Sequence, residues 1–250
     1  MDPLFWGAAA LAVLIIGVSK GGLGTGLGAL GTPIMALVMP PLMAAAILLP
    51  VLVVMDVVNV YIHRKNMDFR LFWQFIPSCA VGIGIGWILA DYTSDNAIRL
   101  IIGCVSVGFS LDYWLFKRAN AEAWQPPRLL TRISGALCGF TSFVAHAGGP
   151  PFQIFILPQK LPKELIVGTG AIIFAAVNAL KIPPYLFLGQ FSVENLTIAL
   201  LLLPLAPLGV IAGAWLLHRI PIDLFYRISY ATMFVVGLRL IWVGGVGLFN

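Results

Sequence analysis

Charged residues are scarce in this sequence, and apolar residues dominate it. Asp, Glu, Lys and Arg make up 10% of the 250 residues, whereas apolar residues make up 60%. An ordinary soluble domain has about one quarter charged residues, and a chain of this length cannot hide so large an apolar excess in one core. A soluble globular protein is therefore excluded. The composition indicates a protein whose outer surface contacts lipid.

Cysteine is also rare, and the common motifs of metal and nucleotide chemistry are missing. Cys79, Cys104 and Cys138 lie in separate apolar runs without CxxC spacing, so neither a disulfide framework nor a zinc site is indicated. GxSxG and HExxH are absent, and the GxGxxG match at 26–31 lacks the preceding strand of a dinucleotide site. We therefore expect no enzyme, no cofactor and no metal.

The net charge of +5 does not indicate a nucleic-acid partner. The 15 Lys and Arg residues are spread over short loops between apolar runs. In a membrane protein, such residues determine which side of the bilayer each loop occupies. We therefore expect the lipid bilayer as a partner, and no nucleic acid.

Six apolar runs have the roughly 20 residues that a helix needs to cross a bilayer. They are Leu42–Ile62, Leu71–Ala90, Ala97–Phe116, Glu164–Leu188, Asn195–Leu217 and Asp223–Val246. Two further stretches, Leu4–Met39 and Ile133–Leu157, are interrupted by SKGGLGTGLGALGTP and HAGGPP. Backbone that leaves a helix at membrane depth needs partners in protein or in a wet cavity, so we predict two broken helices with inward-facing breaks. The opening MDPLFW lacks the basic stretch of a signal peptide and is expected in the mature chain.

The order of these elements repeats from about Arg132. The segment from Gly17 to Pro33 is matched in character by that from Gly139 to Pro151, and Asn59 is matched with Asn178 in the following span. The sequence therefore predicts an all-α membrane protein, a polytopic bundle of two transmembrane repeats. Its units are a first repeat, 1–120, a cytoplasmic linker, 121–132, and a second repeat, 133–250.

The loop charges favour repeats of opposite orientation. Arg64, Lys65 and Arg70 follow the second element of the first repeat, whereas the matching loop of the second repeat, GQFSVEN, has no basic residue. Because basic residues in short loops mark the cytoplasmic side, this pattern predicts inverted repeats. Each broken segment would then enter the membrane and return to the same side before three full spans. The alternative is that each broken segment crosses once.

The two breaks predict an anion-binding site. A helix N-terminus presents free N–H groups and a partial positive charge, and glycines give a ligand access to backbone donors. Thr32 is a predicted N-cap followed by Pro33 at the first helical position, and Pro150-Pro151 provides a similar start. The two short helices would meet near the midplane, an arrangement that inverted-repeat transporters use. The candidate substrate-binding residues are Lys20, Gly21, Gly22, Gly24, Gly26, Gly28, Thr32, Asn59, Ser142, His146, Gly148, Gly149, Gln153 and Asn178.

Titratable side chains inside the apolar runs are candidates for function. Lys20 is expected to attract the anion. In the alternative interpretations its side chain reaches the membrane interface or pairs with Asp56. Asp56 and His146 are the candidates for proton coupling. The alternatives are a fixed ion pair of Asp56 with Lys20 or His63, and a structural role for His146. Lys181, near a helix end, is expected to reach the interface.

The segments GVSKGGLGTGLGALGTP at Gly17 to Pro33, its second copy at Gly139 to Pro151, and DVVNVYIHRKNMDF at Asp56 to Phe69 resemble the TauE/SafE sulfite exporter family. The resemblance covers nearly the whole chain. It implies a multi-pass transporter of the cytoplasmic membrane that moves sulfite, sulfonates or related sulfur-containing anions, often outward.

The resemblance and the predicted anion site together favour a secondary carrier with alternating access, and protons are a hypothetical coupling ion. One alternative is a passive anion channel built on the same breaks. Another is a non-transporting scaffold subunit, which the short loops disfavour because they offer little surface to a partner. No sequence feature specifies an oligomeric state.

Overall fold

The computed structural model describes residues 3–23, 27–35, 38–39, 41–89, 95–115 and 123–249, and within these ranges every regular element is a helix. The α-helices of this part of the chain are α1 (Pro3–Val18), α2 (Gly31–Met35), α3 (Pro41–His63), α4 (Phe69–Ile88), α5 (Asp95–Leu115), α6 (Arg128–Ala145), α7 (Gly149–Ile156), α8 (Lys163–Phe187), α9 (Val193–Leu202), α10 (Leu205–Arg219) and α11 (Ile222–Phe249).

The predicted all-α polytopic membrane fold is confirmed. In the described part of the chain, the helices long and apolar enough to cross a bilayer are Pro3–Leu23, Met43–His63, Phe69–Ile88, Lys163–Phe187 and Ile222–Gly247. Four of them coincide within a few residues with predicted spans. Helix α5 coincides with the predicted span Ala97–Phe116 as far as Leu115, and residue 116 lies outside the described residues.

The predicted span Asn195–Leu217 consists of two helices, α9 and α10, whose axes differ by 43°. Leu203 and Pro204 form the turn between them. A proline has no N–H to continue the helical ladder, and its ring clashes with the preceding turn. The bend at this position therefore follows directly from the sequence.

The first broken segment folds back on itself. Helix α1 continues into a π-helical turn, Ser19–Leu23, and the chain then returns through a 3-10 turn, Leu27–Leu30, and α2. Gly28 N donates a hydrogen bond to Ser19 Oγ (2.8 Å), and Gly31 lies against Ile16. The second limb therefore runs back along α1.

The second broken segment folds back in the same way. Helix α6 ends at Ala145, and His146 follows in the left-handed conformation with φ 52°. After this turn α7 leads back, and Trp124 N donates to Pro158 O (3.0 Å). Because Trp124 precedes α6 and Pro158 follows α7, the two ends of this segment lie side by side.

Helices α3 and α8 pack against each other in antiparallel directions. Asn178 Nδ2 donates to Asp56 Oδ2 (2.5 Å), and further along α8, toward its start, Gly168 lies against Asn66 O. The chain therefore runs in opposite directions in α3 and α8. These are matching helices of the two halves.

Helices α5 and α11 are a second antiparallel pair. Asn96 Nδ2 donates to Gly247 O (2.8 Å) near one end, and Ser110 Oγ donates to Tyr230 O (3.2 Å) near the other. The last helix of each half therefore packs on its counterpart, as α3 does on α8.

Glycines allow two parallel helix pairs to approach closely across the halves. A Cβ on Gly82 of α4 would lie 1.9 Å from Ala136 O of α6, and one on Gly22 would lie 1.8 Å from Gly213 O of α10. Such distances leave no room for a side chain, so helix packing requires glycine there. Gly84, by contrast, has no neighbour within 4 Å.

The loops that carry most of the basic residues lie at one end of the bundle, which we call the basic end. Asn66 meets Gly168 there, and Lys163 Nζ donates to Leu217 O (2.6 Å) and to Ile220 O. Basic side chains at or near this end include Arg64, Lys65, Arg70, Arg128, Arg132, Lys160, Lys163 and Arg219.

Candidate functional site

A buried polar cluster joins the two halves at the centre of the α3–α8 contact. Lys20 Nζ, from the π-helical turn, donates to Asp56 Oδ1, and Asn178 Nδ2 donates to Asp56 Oδ2 (2.5 Å). All three side chains are buried. The predicted alternative in which Lys20 pairs with Asp56 is therefore what the structure contains, and Asp56 contacts Lys20 rather than His63.

The π-helical turn that presents Lys20 is fixed by two side chains of α3. Asn59 Nδ2 donates to Lys20 O (3.0 Å), and His63 Nε2 donates to Gly21 O (3.0 Å). A π turn leaves backbone carbonyls without the usual i+4 partner, and these side chains supply the missing donors. Asp56, Asn59 and His63 share one face of α3, as their spacing predicts.

Lys181 is fully buried, at 0% exposure, so the prediction that it reaches the membrane interface is wrong. Its Nζ contacts Ser142 O (3.1 Å), Ser142 Oγ (3.1 Å) and His146 Nδ1 (2.8 Å). An ammonium has three N–H donors, and these atoms are three acceptors. Among the described residues, no carboxylate lies within ion-pair distance of Lys181.

His146 orients Lys181 from the turn that breaks the second segment. Its Nε2 donates to Ala45 O (2.9 Å), which leaves Nδ1 as the acceptor for Lys181. This tautomer, assigned from the hydrogen bonds, is that of a neutral imidazole. His146 therefore adds no charge to the cluster.

With both lysines protonated and Asp56 ionised, the cluster carries one positive charge more than it carries negative charge. Two lysines, Lys20 and Lys181, are buried with one carboxylate, Asp56. Lys181 and Asn178 are one helical turn apart on α8, so all these groups belong to one electrostatic environment. A buried charge without a partner is costly, and an anion bound here would neutralise it.

A small cavity lies beside Lys20 and extends toward the basic end. It has room for about one water molecule. Its polar lining consists of Lys20, Gln153 of α7 and Ser229 of α11, and its apolar lining consists of Phe152, Ile156, Leu157, Ile166, Val167 and Phe225. Ile166 and Phe225 lie in the first turns of helices that begin at the basic end, which places the cavity between Lys20 and that end.

Gln153 and Ser229 are buried and have no hydrogen-bond partner among the described residues. Both amide atoms of Gln153 and the hydroxyl of Ser229 are unsatisfied. Buried polar groups are nearly always paired, so unpaired groups that line a cavity indicate a ligand position. Gln153 was a predicted site residue, whereas Ser229 was missed because one serine in an apolar span has no distinguishing pattern.

Several predicted glycines serve helix packing or are already hydrogen-bonded. Gly21 and Gly22 lie against the backbone of α10, and Gly148 lies against Cys138. The N–H of Gly28 is used by Ser19 Oγ. The structure does not bring these glycines to the Lys20 cavity. Gly24 and Gly26 lie outside the described residues.

The helix starts differ from the prediction at the first break and match it at the second. Helix α2 begins at Gly31, so Thr32 lies inside a five-residue helix rather than at its N-cap; its Oγ1 is buried without a partner. Helix α7 begins at Gly149, as Pro150-Pro151 predicts. Those prolines lack N–H groups, so this helix start has few backbone donors for an anion.

Hydrogen bonds in the two halves correspond at an offset of 122 residues, which takes Lys20 to Ser142 and Asn59 to Lys181. Asn59 donates to Lys20 O (3.0 Å) in the first half, and Lys181 donates to Ser142 O (3.1 Å) in the second. In these bonds Asn59 corresponds to Lys181, whereas the sequence predicts a match of Asn59 with Asn178. The two lysines occupy different positions of the repeat and contribute to one cluster.

A second pair of hydrogen bonds has the same spacing. His63 Nε2 donates to Gly21 O (3.0 Å), and Tyr185 OH donates to Phe143 O (2.7 Å). Each bond joins the third helix of a half to the backbone at the end of its first limb. The described residues contain no cluster of His, Cys, Asp and Glu that could hold a metal ion.

Comparison with protein families gives one match that spans the site. A family model described as "Sulfite exporter TauE/SafE" matches residues 9–240. No curated protein and no solved structure matches the chain. The matched range includes both broken segments, the buried polar cluster and the cavity beside Lys20.

Proposed function

Because the chain belongs to the TauE/SafE sulfite exporter family, we propose that it is a secondary transporter that binds a small sulfur-containing oxyanion beside Lys20. The family consists of membrane transporters, so the chain is a multi-pass membrane protein and not an enzyme. Sulfite or an organosulfonate is the proposed substrate, export the proposed direction, and the cytoplasmic membrane the proposed location.

The observation that carries this proposal is the burial of two lysines with a single carboxylate in one cluster. Lys20 and Lys181 face a single carboxylate, that of Asp56. An oxyanion in the cavity would contact Lys20 directly and would accept hydrogen bonds from Gln153 and Ser229, which have no other partner. The site thus relies on side-chain charge more than on backbone amides at helix ends.

The helix directions support inverted repeats, with units 1–120 and 133–250 joined by the linker 121–132. Equivalent helices, α3 with α8 and α5 with α11, pack antiparallel, which is what a two-fold axis in the membrane plane produces. The cluster lies on the α3–α8 contact. Movement of one repeat against the other would therefore open the site to alternate sides.

The cavity position supports loading from the basic end. Basic loops mark the cytoplasmic side, and the cavity extends from Lys20 toward that end. A sulfonate group is larger than one water molecule, so α7 and α11 must separate to admit it. For an exporter, this is the side from which the substrate is taken.

Asp56 is the proposed coupling residue. Its carboxylate neutralises Lys20, and it competes with a substrate anion for the same ammonium. Protonation of Asp56 would release Lys20 and add one positive charge to the cluster, so proton binding there would strengthen anion binding and favour anions of higher charge. His146 is a weaker candidate, because both ring nitrogens are already used in its neutral form.

Transport into proteoliposomes tests the proposal. Purified protein should show saturable sulfite uptake and counterflow, and an imposed pH gradient should change the rate. Lys20→Met should abolish transport, whereas Lys65→Met, which removes an exposed lysine at the basic end, should not. Linear flux without counterflow would indicate a passive channel, and unchanged transport by Lys20→Met would contradict the proposed site.

A further inference from the structure

The charge of the cluster has a consequence for the kind of anion that the site accepts. With both lysines protonated, one buried positive charge is uncompensated, and it belongs to Lys181, whose three hydrogen-bond partners are all neutral. A bound anion with one negative charge would balance the cluster. An anion with two would leave one negative charge buried, which is as unfavourable as the original positive one.

The neutral side chains at the cavity lead to the same conclusion. Gln153 and Ser229 can donate hydrogen bonds to an oxyanion, but neither adds charge. Gln153 Oε1 is in addition an unsatisfied acceptor, which an oxygen bearing only negative charge cannot satisfy. It matches the hydroxyl of a singly protonated oxyanion, or a water that travels with the substrate.

We infer that the site, with both lysines protonated and Asp56 ionised, selects singly charged oxyanions, and that the count of buried charges on Lys20, Lys181 and Asp56 sets this selectivity. The inference rests on the proposed function, since it assigns the charge class of the substrate at that site. Hydrogensulfite and organosulfonates belong to the class, whereas sulfite dianion and sulfate do not. Gln153 and Ser229 are the neutral recognition groups.

The test changes the charge of the cluster and measures which of two anions the protein binds more tightly. Methanesulfonate and sulfate are the probes, because they have similar size and carry one and two negative charges. Their affinities for the detergent-purified protein are measured by calorimetry, and the result is the ratio of the two affinities. A comparison of this ratio between variants cancels the difference in hydration between the two anions.

Asp56→Asn raises the excess of positive charge from one to two and keeps the shape of the side chain. The additional charge should shift the ratio toward sulfate by about 100-fold, the effect of a unit charge at about 6 Å with an effective dielectric constant of about 20. Asp56→Asn combined with Asn178→Asp exchanges acid and amide between two contacting side chains. The exchange returns the charge to its original value and should restore the preference for methanesulfonate.

Asn178→Asp alone provides a second test that does not depend on the folding of Asp56→Asn. It lowers the excess charge to zero and should weaken the binding of both anions, sulfate more than methanesulfonate. Equal ratios in the unaltered protein, the single variants and the exchanged variant would overturn the inference while leaving the proposed anion site intact. Failure of both anions to bind the unaltered protein would overturn the inference and the proposed function together.

Discussion

Replacement of Lys181 by methionine removes the uncompensated positive charge and nearly preserves the length of the side chain. Lys181 donates to Ser142 and His146 and has no carboxylate partner among the described residues. Its charge should therefore act on a bound anion through space rather than by contact. We expect Lys181→Met to bind methanesulfonate much more weakly than the unaltered protein does.

The size of the effect follows from the geometry of α8. Lys181 is one helical turn from Asn178, which touches the carboxylate that pairs with Lys20. Two unit charges separated by about 7 Å, at an effective dielectric constant of about 20, interact by about 2.4 kcal/mol, which corresponds to roughly 50-fold in affinity.

The assay is thermal unfolding in detergent at increasing methanesulfonate concentration. The rise in melting temperature that the anion causes reports its affinity and is separate from the basal stability of each variant. Lys65→Met is the control: it removes an exposed lysine at the basic end. It should change basal stability by no more than about 0.5 kcal/mol and leave the affinity unchanged. An unchanged affinity in Lys181→Met would refute the electrostatic reasoning.

Two further predictions concern packing and topology. Gly82→Ala should destabilise the protein by at least about 1–3 kcal/mol, because the new methyl group would lie 1.9 Å from Ala136 O. Gly84→Ala, with no described neighbour within 4 Å, should be neutral or stabilising by up to about 1 kcal/mol. Thermal unfolding of the two variants checks this, and equal losses of stability would contradict the α4–α6 packing. Cysteines introduced at the exposed positions Lys65 and Arg219 should react with a membrane-impermeant maleimide from one side of the vesicle. A cysteine introduced at the exposed position Gly189 should react only from the other side. Labelling of all three cysteines from one side would disprove the inverted arrangement.

The membrane-spanning helices could be predicted because lipid imposes a simple length and composition on each of them. The predicted breaks were also located correctly, since glycine and proline disrupt an apolar helix wherever they cluster. The bend at Pro204 could have been predicted from the proline itself. The π-helical turn at Lys20 could not, because it depends on side chains of α3 that supply donors to its carbonyls.

The site was predicted less completely than the fold. Lys20, Asp56 and Asn178 were identified because polar residues inside apolar runs are unusual. The position of Lys181 near a helix end suggested an interface, and only the packing of α6 against α8 shows that Ser142 and His146 surround it. A stricter comparison of the halves at a spacing of 122 residues would have matched Lys181 with Asn59 and indicated a buried position.

The most direct test of the central claim is to locate a bound anion. In a crystal of the protein grown with 2-bromoethanesulfonate, the anomalous signal of bromine marks the ligand. We expect a sulfonate within hydrogen-bond distance of Lys20 Nζ and the Gln153 amide, in the cavity that Ser229 also lines. A sulfonate bound instead at the glycines of the first break, away from both lysines, would contradict it.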